Sequence, residues 1–305
     1  MRKQLKKNKN FIVKMIQNKA FLIKKGSRMR RKIKIVGIIM ITIACIYLGI
    51  RTREKNGIVV MSLKTSQQQS FGYLLETNKQ KIVMIDGGSA EDSEHLEELL
   101  LQKGGVVETW FITIAHPENF GAMQEIMKKE KIEIKNIYIS FNPADWYAKY
   151  EPEKYEEVAE FLDLIYSEDV IQKVYNVPLR FEVLVDNLYF TVLNVANPDL
   201  ESTQLGFDQS MVIKVNNTYR SMIFMGSIGN IGAQKMKDNN LDEIDCDAVQ
   251  ISNTEQVEDE IYQKMTPKYL FATGKQKTYL EHLKQLLKPT EVYISNGEDM
   301  TVKIW

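Results

Sequence analysis

The sequence predicts an α/β (α+β) fold: an αββα sandwich of two mixed β-sheets flanked by helices, preceded by one transmembrane helix. Three observations predict it. From Gly57 onward, short β-branched runs alternate with amphipathic segments. In the middle the alternation gives way to hairpins and then returns, which suits two mixed sheets with helices outside them. Before Gly57, a purely basic arm leads into the uncharged run 35–50.

In chain order, strands are expected at 58–63, 72–76 and 81–85. Gly87-Gly88 then turns the chain into a helix, with Ser89 as N-cap, Asp92 three residues on, and Glu91 and Glu94 at the positive helix end. Leu96, Leu99 and Leu100 form its apolar stripe. Next come a strand at 109–114, a loop, a helix at 121–131, a strand at 134–139 and a helix around 155–166. Two hairpins follow, 181–185 with 189–193 around Asp186-Asn187, and 211–215 with 221–225 around Asn216-Asn217. The end alternates again: strand 248–251, helix 255–264, strand 269–272, helix 279–287 and strands 291–294 and 301–304. No Pro/Gly-rich linker interrupts 57–305, so this stretch reads as one domain.

A chain of 305 residues that is 44% apolar can bury a sizeable core. Its net charge of zero averages two unlike parts. Residues 1–53 carry sixteen Lys and Arg and no acid, leaving 24 basic against 40 acidic groups, a net −16, in 54–305. The arm 1–32 therefore reads as cytoplasmic and 33–51 as the anchor, with Lys34 and Arg51 snorkelling to the headgroups. Basic residues on the N-terminal side place the acidic domain outside the cytoplasm at the cell membrane. Two alternatives compete: lipidation at Cys45 after Thr42-Ile43-Ala44, and a start at Met29. If residues 1–28 are translated, 11–23 read either as a basic interfacial helix or as part of a disordered arm. Cys246 stands alone in the folded part, so no intrachain disulfide braces it.

Several motifs then line up in order. Phe71-Gly72-Tyr73-Leu74-Leu75-Glu76-Thr77 and Ile82-Val83-Met84-Ile85-Asp86-Gly87-Gly88 resemble the opening hairpin of the metallo-β-lactamase superfamily. Thr113-Ile114-Ala115-His116-Pro117-Glu118-Asn119-Phe120-Gly121-Ala122 falls where that family has T-H-x-H-x-D-H-x-G-G. Phe207-Asp208-Gln209-Ser210-Met211-Val212-Ile213 and Met222-Ile223-Phe224-Met225-Gly226 resemble the hydrolase domain of ComEC-type competence proteins. So do Asp247 to Asn253 and Thr266-Pro267-Lys268-Tyr269-Leu270. The resemblance runs from Gly57 to Trp305.

It implies a zinc hydrolase, in which His and carboxylate ligands converge at loop ends and activate a metal-bound water. The ligand positions have changed. The motif histidines read Ile114, His116 and Asn119, and the motif aspartate reads Glu118. The later Asp is Ser227, and the His-His-Gly positions are Asn253-Thr254-Glu255. Of the three histidines, His95 and His282 fall on expected helices, as solvent-facing residues. The expectation is therefore a non-catalytic pseudo-hydrolase with a binding or scaffolding role, without a cofactor. In that reading Asp86 braces the motif loop, while His116 and Glu118 pair with each other or with backbone. The alternative is a metal-dependent hydrolase with a mononuclear zinc site from His116, Glu118 and Asp86. Four aromatics from Phe141 to Tyr150 suggest a surface for a protein or small-molecule partner, or else a cover for the sheet. Nucleic acid is not expected, because a net −16 repels phosphates.

Overall fold

Strands such as Ile82-Val83-Met84-Ile85 are apolar at consecutive positions rather than alternate ones, so both of their faces must be covered. The computed structural model describes residues 40–43, 57–66, 70–199, 205–239, 242–254, 257–273, 276–295 and 297–304. The chain divides into two units, Met1–Lys55 and Asn56–Trp305. In the first unit, 40–43 are helical; the basic arm 1–32 and the rest of the expected anchor 33–51 lie outside the described residues. Among the described residues, no helix is long and apolar enough to cross a membrane.

The second unit holds two sheets. One contains β1 (Ile58–Ser62), β2 (Gly72–Glu76), β3 (Ile82–Asp86), β4 (Val106–Ile112), β5 (Glu133–Ile134), β6 (Ile137–Ile139) and β7 (Val174–Asn176), joined by β15 (Met300–Ile304). Its order is β15-β1-β2-β3-β4-β6-β7, with β5 beside β4. The other contains β8 (Glu182–Val185), β9 (Leu188–Asn194), β10 (Val212–Asn216), β11 (Ser221–Phe224), β12 (Ala248–Gln250), β13 (Tyr269–Thr273) and β14 (Glu291–Ser295), in the reverse order β14 to β8. Both sheets are mixed: β3, β4 and β6 run parallel, as do β11 to β14, beside antiparallel pairs.

The period of two along each strand separates three cores. Tyr73, Leu75, Val83 and Ile85 face the other sheet, where Phe111 meets Phe190 at 5.2 Å and Tyr73 meets Phe224 at 5.0 Å between ring centroids. Leu74 and Met84 face outward onto helices Ser93–Gln102, Pro117–Lys129, Ala144–Tyr150 and Tyr155–Ile165. Phe120 and Phe161 stack there at 4.2 Å. Val212 and Ile223 face outward on the second sheet, onto helices Asn230–Asn239, Asp259–Met265 and Lys277–Leu287. The layers are thus helix, sheet, sheet, helix, as the sequence predicted.

The structure corrects several expectations. The helix placed at 121–131 begins at Pro117, because Pro at the first helical position is pre-set for a helix and loses no needed donor. The strand 134–139 is two short pieces, β5 and β6. The second hairpin closes through 217–220, where the Asn217 side chain accepts the N–H groups of Tyr219 and Arg220 at 2.8 and 2.9 Å. In the first hairpin Asp186 takes the left-handed conformation a tight turn requires, φ 56°. The stretch from Phe141 to Tyr150 is largely the helix Ala144–Tyr150, and its rings Phe141, Trp146 and Tyr147 are buried in the core. Those three aromatics cover the sheet, and Tyr150 packs half-buried beside them.

Candidate functional site

Asp86 ends β3 in the left-handed region, φ 51°, and is fully buried. Its backbone carbonyl accepts the Trp110 indole N–H at 3.0 Å. Its carboxylate accepts the Thr113 N–H at 2.8 Å and the Thr113 hydroxyl at 2.7 Å, so the aspartate ties the end of β3 to the loop after β4. Burial pushes the carboxyl up to about 7, and the Thr113 bonds only partly oppose this. Behind it, the chain turns through Gly88 at φ 91° into a short 3-10 turn, Ala90–Asp92. The Asp92 carboxylate accepts the Ser89 N–H at 2.9 Å, the reciprocal bond the sequence predicted.

The second sheet meets this corner from the other side. The Thr113 carbonyl accepts the Met211 N–H at 2.6 Å. Gly226 (φ 60°) packs so closely that a Cβ would lie 2.6 Å from Ser210 Oγ and 3.2 Å from Thr113 Oγ1. The Ser227 N–H donates to Ser210 Oγ at 3.2 Å. The Gln250 amide clasps the Gly226 backbone, accepting its N–H at 2.8 Å and donating to its carbonyl at 3.2 Å. The Asn253 N–H donates to the same carbonyl at 3.2 Å. Asp86, Ser227 and Asn253 therefore do gather at one edge of the sandwich, where they serve neighbouring backbone and loops.

His116 is the N-cap residue of helix Pro117–Lys129 and is buried. Its partner is neither Glu118 nor backbone, as the sequence suggested, but Glu151: Nε2 lies 3.2 and 3.1 Å from the two carboxylate oxygens. The other ring nitrogen, Nδ1, lies 3.0 Å from the Lys154 ammonium. An ammonium only donates, so Nδ1 accepts and Nε2–H donates to Glu151. Burial works against the Glu151 carboxylate, but His116 and Lys154 outweigh it and hold its pKa below the ordinary value. The single turn Leu205–Asp208 covers this trio. The Phe207 ring stands edge-on to the imidazole at 5.7 Å and 5.8 Å from the ammonium. Gly206 sits so close to Glu151 that a Cβ there would fall 1.7 Å from Oε1, so a larger residue would displace the Glu151 carboxylate. Asp208 beyond it accepts the Gly232 N–H at 2.8 Å at the start of helix Asn230–Asn239.

Glu118, in the first turn of its helix, has a buried Oε2 that makes no hydrogen bond. It lines a groove of about 550 Å³ with Glu91, Glu125, Glu157, Lys128 and Lys154. His95 and His282 lie on exposed helix faces, paired with Asp299 and Asp259. Ile114 is buried. Among the described residues, no group of three His, Cys, Asp or Glu side chains is placed to hold a metal ion.

A zinc ion that activates water usually takes three protein ligands and keeps a fourth position open. The donors here do not fit that set. Both nitrogens of His116 are engaged, one of them by a cation, and both oxygens of Asp86 are held by Thr113. Glu151, Lys154 and Gly206 were not expected from the sequence. The first two lie 35 and 38 residues from His116 in a charged stretch that reads as solvated surface. Gly206 carries no side-chain signal at all.

No protein-family model matches the sequence, and no curated protein matches it. Solved structures do resemble it. The metallo-β-lactamase fold protein YhfI from Bacillus subtilis superposes with a TM-score of 0.52 at 12% identity, covering 82% of this chain and all of that one. A point mutant of the CmlA β-hydroxylase superposes with a TM-score of 0.53 at 10% identity, covering 81% of this chain and 54% of that one, about half its length. Identity this low shows the fold and leaves the activity open. The two helix-flanked mixed sheets give the second unit the metallo-β-lactamase fold.

Proposed function

We propose that this chain is a membrane-anchored, ComEC-like pseudo-hydrolase that binds or scaffolds a protein or small-molecule partner outside the cytoplasm, without metal. One observation carries the reading: the surviving motif histidine, His116, has both ring nitrogens occupied, by Glu151 and by Lys154. A ligand imidazole must offer a free lone pair, and here the lone pair points at an ammonium. The other motif positions, Asn119, Ser227 and Asn253, are neutral residues and poor zinc ligands. The ComEC-like motif order supports the relationship, and the basic arm before an uncharged run supports the anchor. The net −16 of residues 54–305 favours a partner other than nucleic acid.

The test uses purified full-length protein, with bound zinc, manganese and iron measured beside phosphodiesterase and β-lactamase activity. The expected result is metal-free, inactive protein with a cooperative unfolding transition. Near-stoichiometric metal that disappears with His116→Ala, together with activity lost in step, overturns the reading. For the anchor, protease added to intact protoplasts is expected to digest the acidic domain; protection until the membrane is opened refutes that orientation. One observation favours the rival, a mononuclear hydrolase around His116 and Glu118: the buried Glu118 Oε2 without a hydrogen bond. The rival still lacks a third ligand, because Asp86 is spent on Thr113.

A further inference from the structure

We propose that the Lys154 ammonium is a built-in cation for this site, supplying to the buried His116–Glu151 pair the positive charge that a bound metal ion would bring. The inference rests on the metal-free reading above and adds what replaced the metal.

A buried carboxylate is unstable without a compensating charge. Glu151 is 7% exposed, and among the described residues the side chain hydrogen-bonded to it is the imidazole of His116. A neutral imidazole supplies a proton donor but no net charge. Lys154 supplies the charge through the ring: ammonium to Nδ1 at 3.0 Å, then Nε2–H to the carboxylate at 3.1 Å. The trio is neutral overall, and each hydrogen bond polarises the next. Its charged members are set by local structure, since the Lys154 N–H donates to the Glu151 carbonyl at 3.0 Å in the turn before helix Tyr155–Ile165. Ammonium and carboxylate therefore leave one turn of chain and close on opposite edges of one imidazole.

The cover is shaped to the same trio. Gly206 lets the backbone descend onto Glu151, and Phe207 offers its ring to the ammonium at 5.8 Å, within reach of a cation–π contact. A metal on Nδ1 would have to evict the ammonium. A metal on Nε2 would have to replace the ring proton and sit across the imidazole from a positive charge already present. Lysine at 154 thus excludes the ion as well as standing in for it.

The test compares full-length wild type, Lys154→Arg, Lys154→Met and the double variant Glu151→Gln/Lys154→Met by thermal unfolding, each with chelator and with added zinc. Wild type and Lys154→Arg are expected to melt together and to ignore zinc. Lys154→Met removes the charge but keeps the stem, and is expected to lower Tm by about 5–10 °C. Added zinc should restore part of that loss by binding the freed Nδ1 of His116, and His116→Ala in the same background should abolish the restoration. The double variant has no charge to compensate, and is expected to recover most of the wild-type Tm without zinc. This keeps the proposal testable if Lys154→Met alone does not fold. A wild-type Tm in Lys154→Met overturns the proposal, as does a double variant no more stable than the single one. Wild type that itself binds zinc through His116 would instead defeat the metal-free reading beneath it.

Discussion

Two carboxylates at this edge are both buried, Asp86 completely and Glu151 somewhat less so, and they behave in opposite ways. Asp86 is pushed up to about 7, whereas Glu151 is held below its ordinary value. Depth of burial accounts for part of the difference, and the partners for the rest. Asp86 is met by the hydroxyl and amide of Thr113, which orient it but bring no charge. Glu151 is met by an imidazole backed by an ammonium. At Glu151 the His116 hydrogen bond, with the Lys154 charge added to it, more than offsets desolvation, whereas the hydrogen bonds at Asp86 do not. The Asp86 corner is therefore a brace that works best protonated, and the His116 corner is an ion cluster that works only charged.

The largest test of this contrast is pH. The folded value for Asp86, about 7, lies above an unfolded value of ~3.9. Below pH 4 both states are protonated and the full contribution to stability is present. Between pH 4 and 7 the unfolded state ionises first, the folded state holds the extra proton, and stability falls as pH rises. A gap of three units corresponds to a loss on the order of 4 kcal/mol by pH 8. Asp86→Asn can keep both Thr113 bonds, accepting the N–H and donating to the hydroxyl. The Tm difference between variant and wild type is expected to grow in favour of the variant from pH 4.5 to pH 8. A difference that is flat across this range would show that Asp86 is not destabilised by burial.

A smaller effect is expected from the other corner. Glu151→Ala leaves the His116 donor and the Lys154 ammonium without their carboxylate, and breaking a buried pair in this way costs about 3 kcal/mol. For a domain of this size that lowers Tm by roughly 6–10 °C. The contrast with Asp86 is sharpest if Glu151→Ala loses stability at both pH 5.5 and pH 8, whereas the Asp86→Asn difference changes between them. Equal stability of Glu151→Ala and wild type would mean that the ion cluster contributes nothing.

The same contrast explains what was legible in the sequence. The sandwich was legible because strand and helix periods are local: Ile82 to Ile85 declare a doubly covered strand, and Asp186-Asn187 declare a turn. Asp86 was legible because it ends such a strand before Gly87-Gly88. The start of the helix at Pro117 was missed, although Pro at the first position and Glu118 in the first turn are both start signals. They were assigned to the motif loop instead. The aromatics after Phe141 were ambiguous because a ring that covers a sheet and a ring that meets a partner have the same composition. Glu151 and Lys154 were beyond reach, since Glu-Pro-Glu-Lys-Tyr-Glu-Glu carries no period and their partner His116 is brought to them only by tertiary folding. Gly206 acquires meaning only once Glu151 lies beneath it.

The smallest expected effect concerns the two remaining histidines, which make the same kind of pair in a different place. His95 approaches Asp299 at 2.8 Å and His282 approaches Asp259 at 2.7 Å, both shorter than the 3.1 Å between His116 and Glu151. By distance alone these would be the stronger bonds. Their side chains, however, are 46% and 52% exposed, against 4% for His116. Water solvates an exposed imidazole and carboxylate almost as well as they solvate each other, and salt screens what attraction remains. Nothing is stranded when one partner goes, because the other returns to solvent. His95→Ala and His282→Ala are each expected to change stability by less than about 0.5 kcal/mol. In denaturant unfolding their midpoints should overlay the wild type, while His116→Ala, which leaves Glu151 without its bonded partner, shifts clearly downward. A loss from His282→Ala as large as that from His116→Ala would show that pairing distance, not burial, sets the strength of these contacts, and would remove the basis for treating the His116 corner as special.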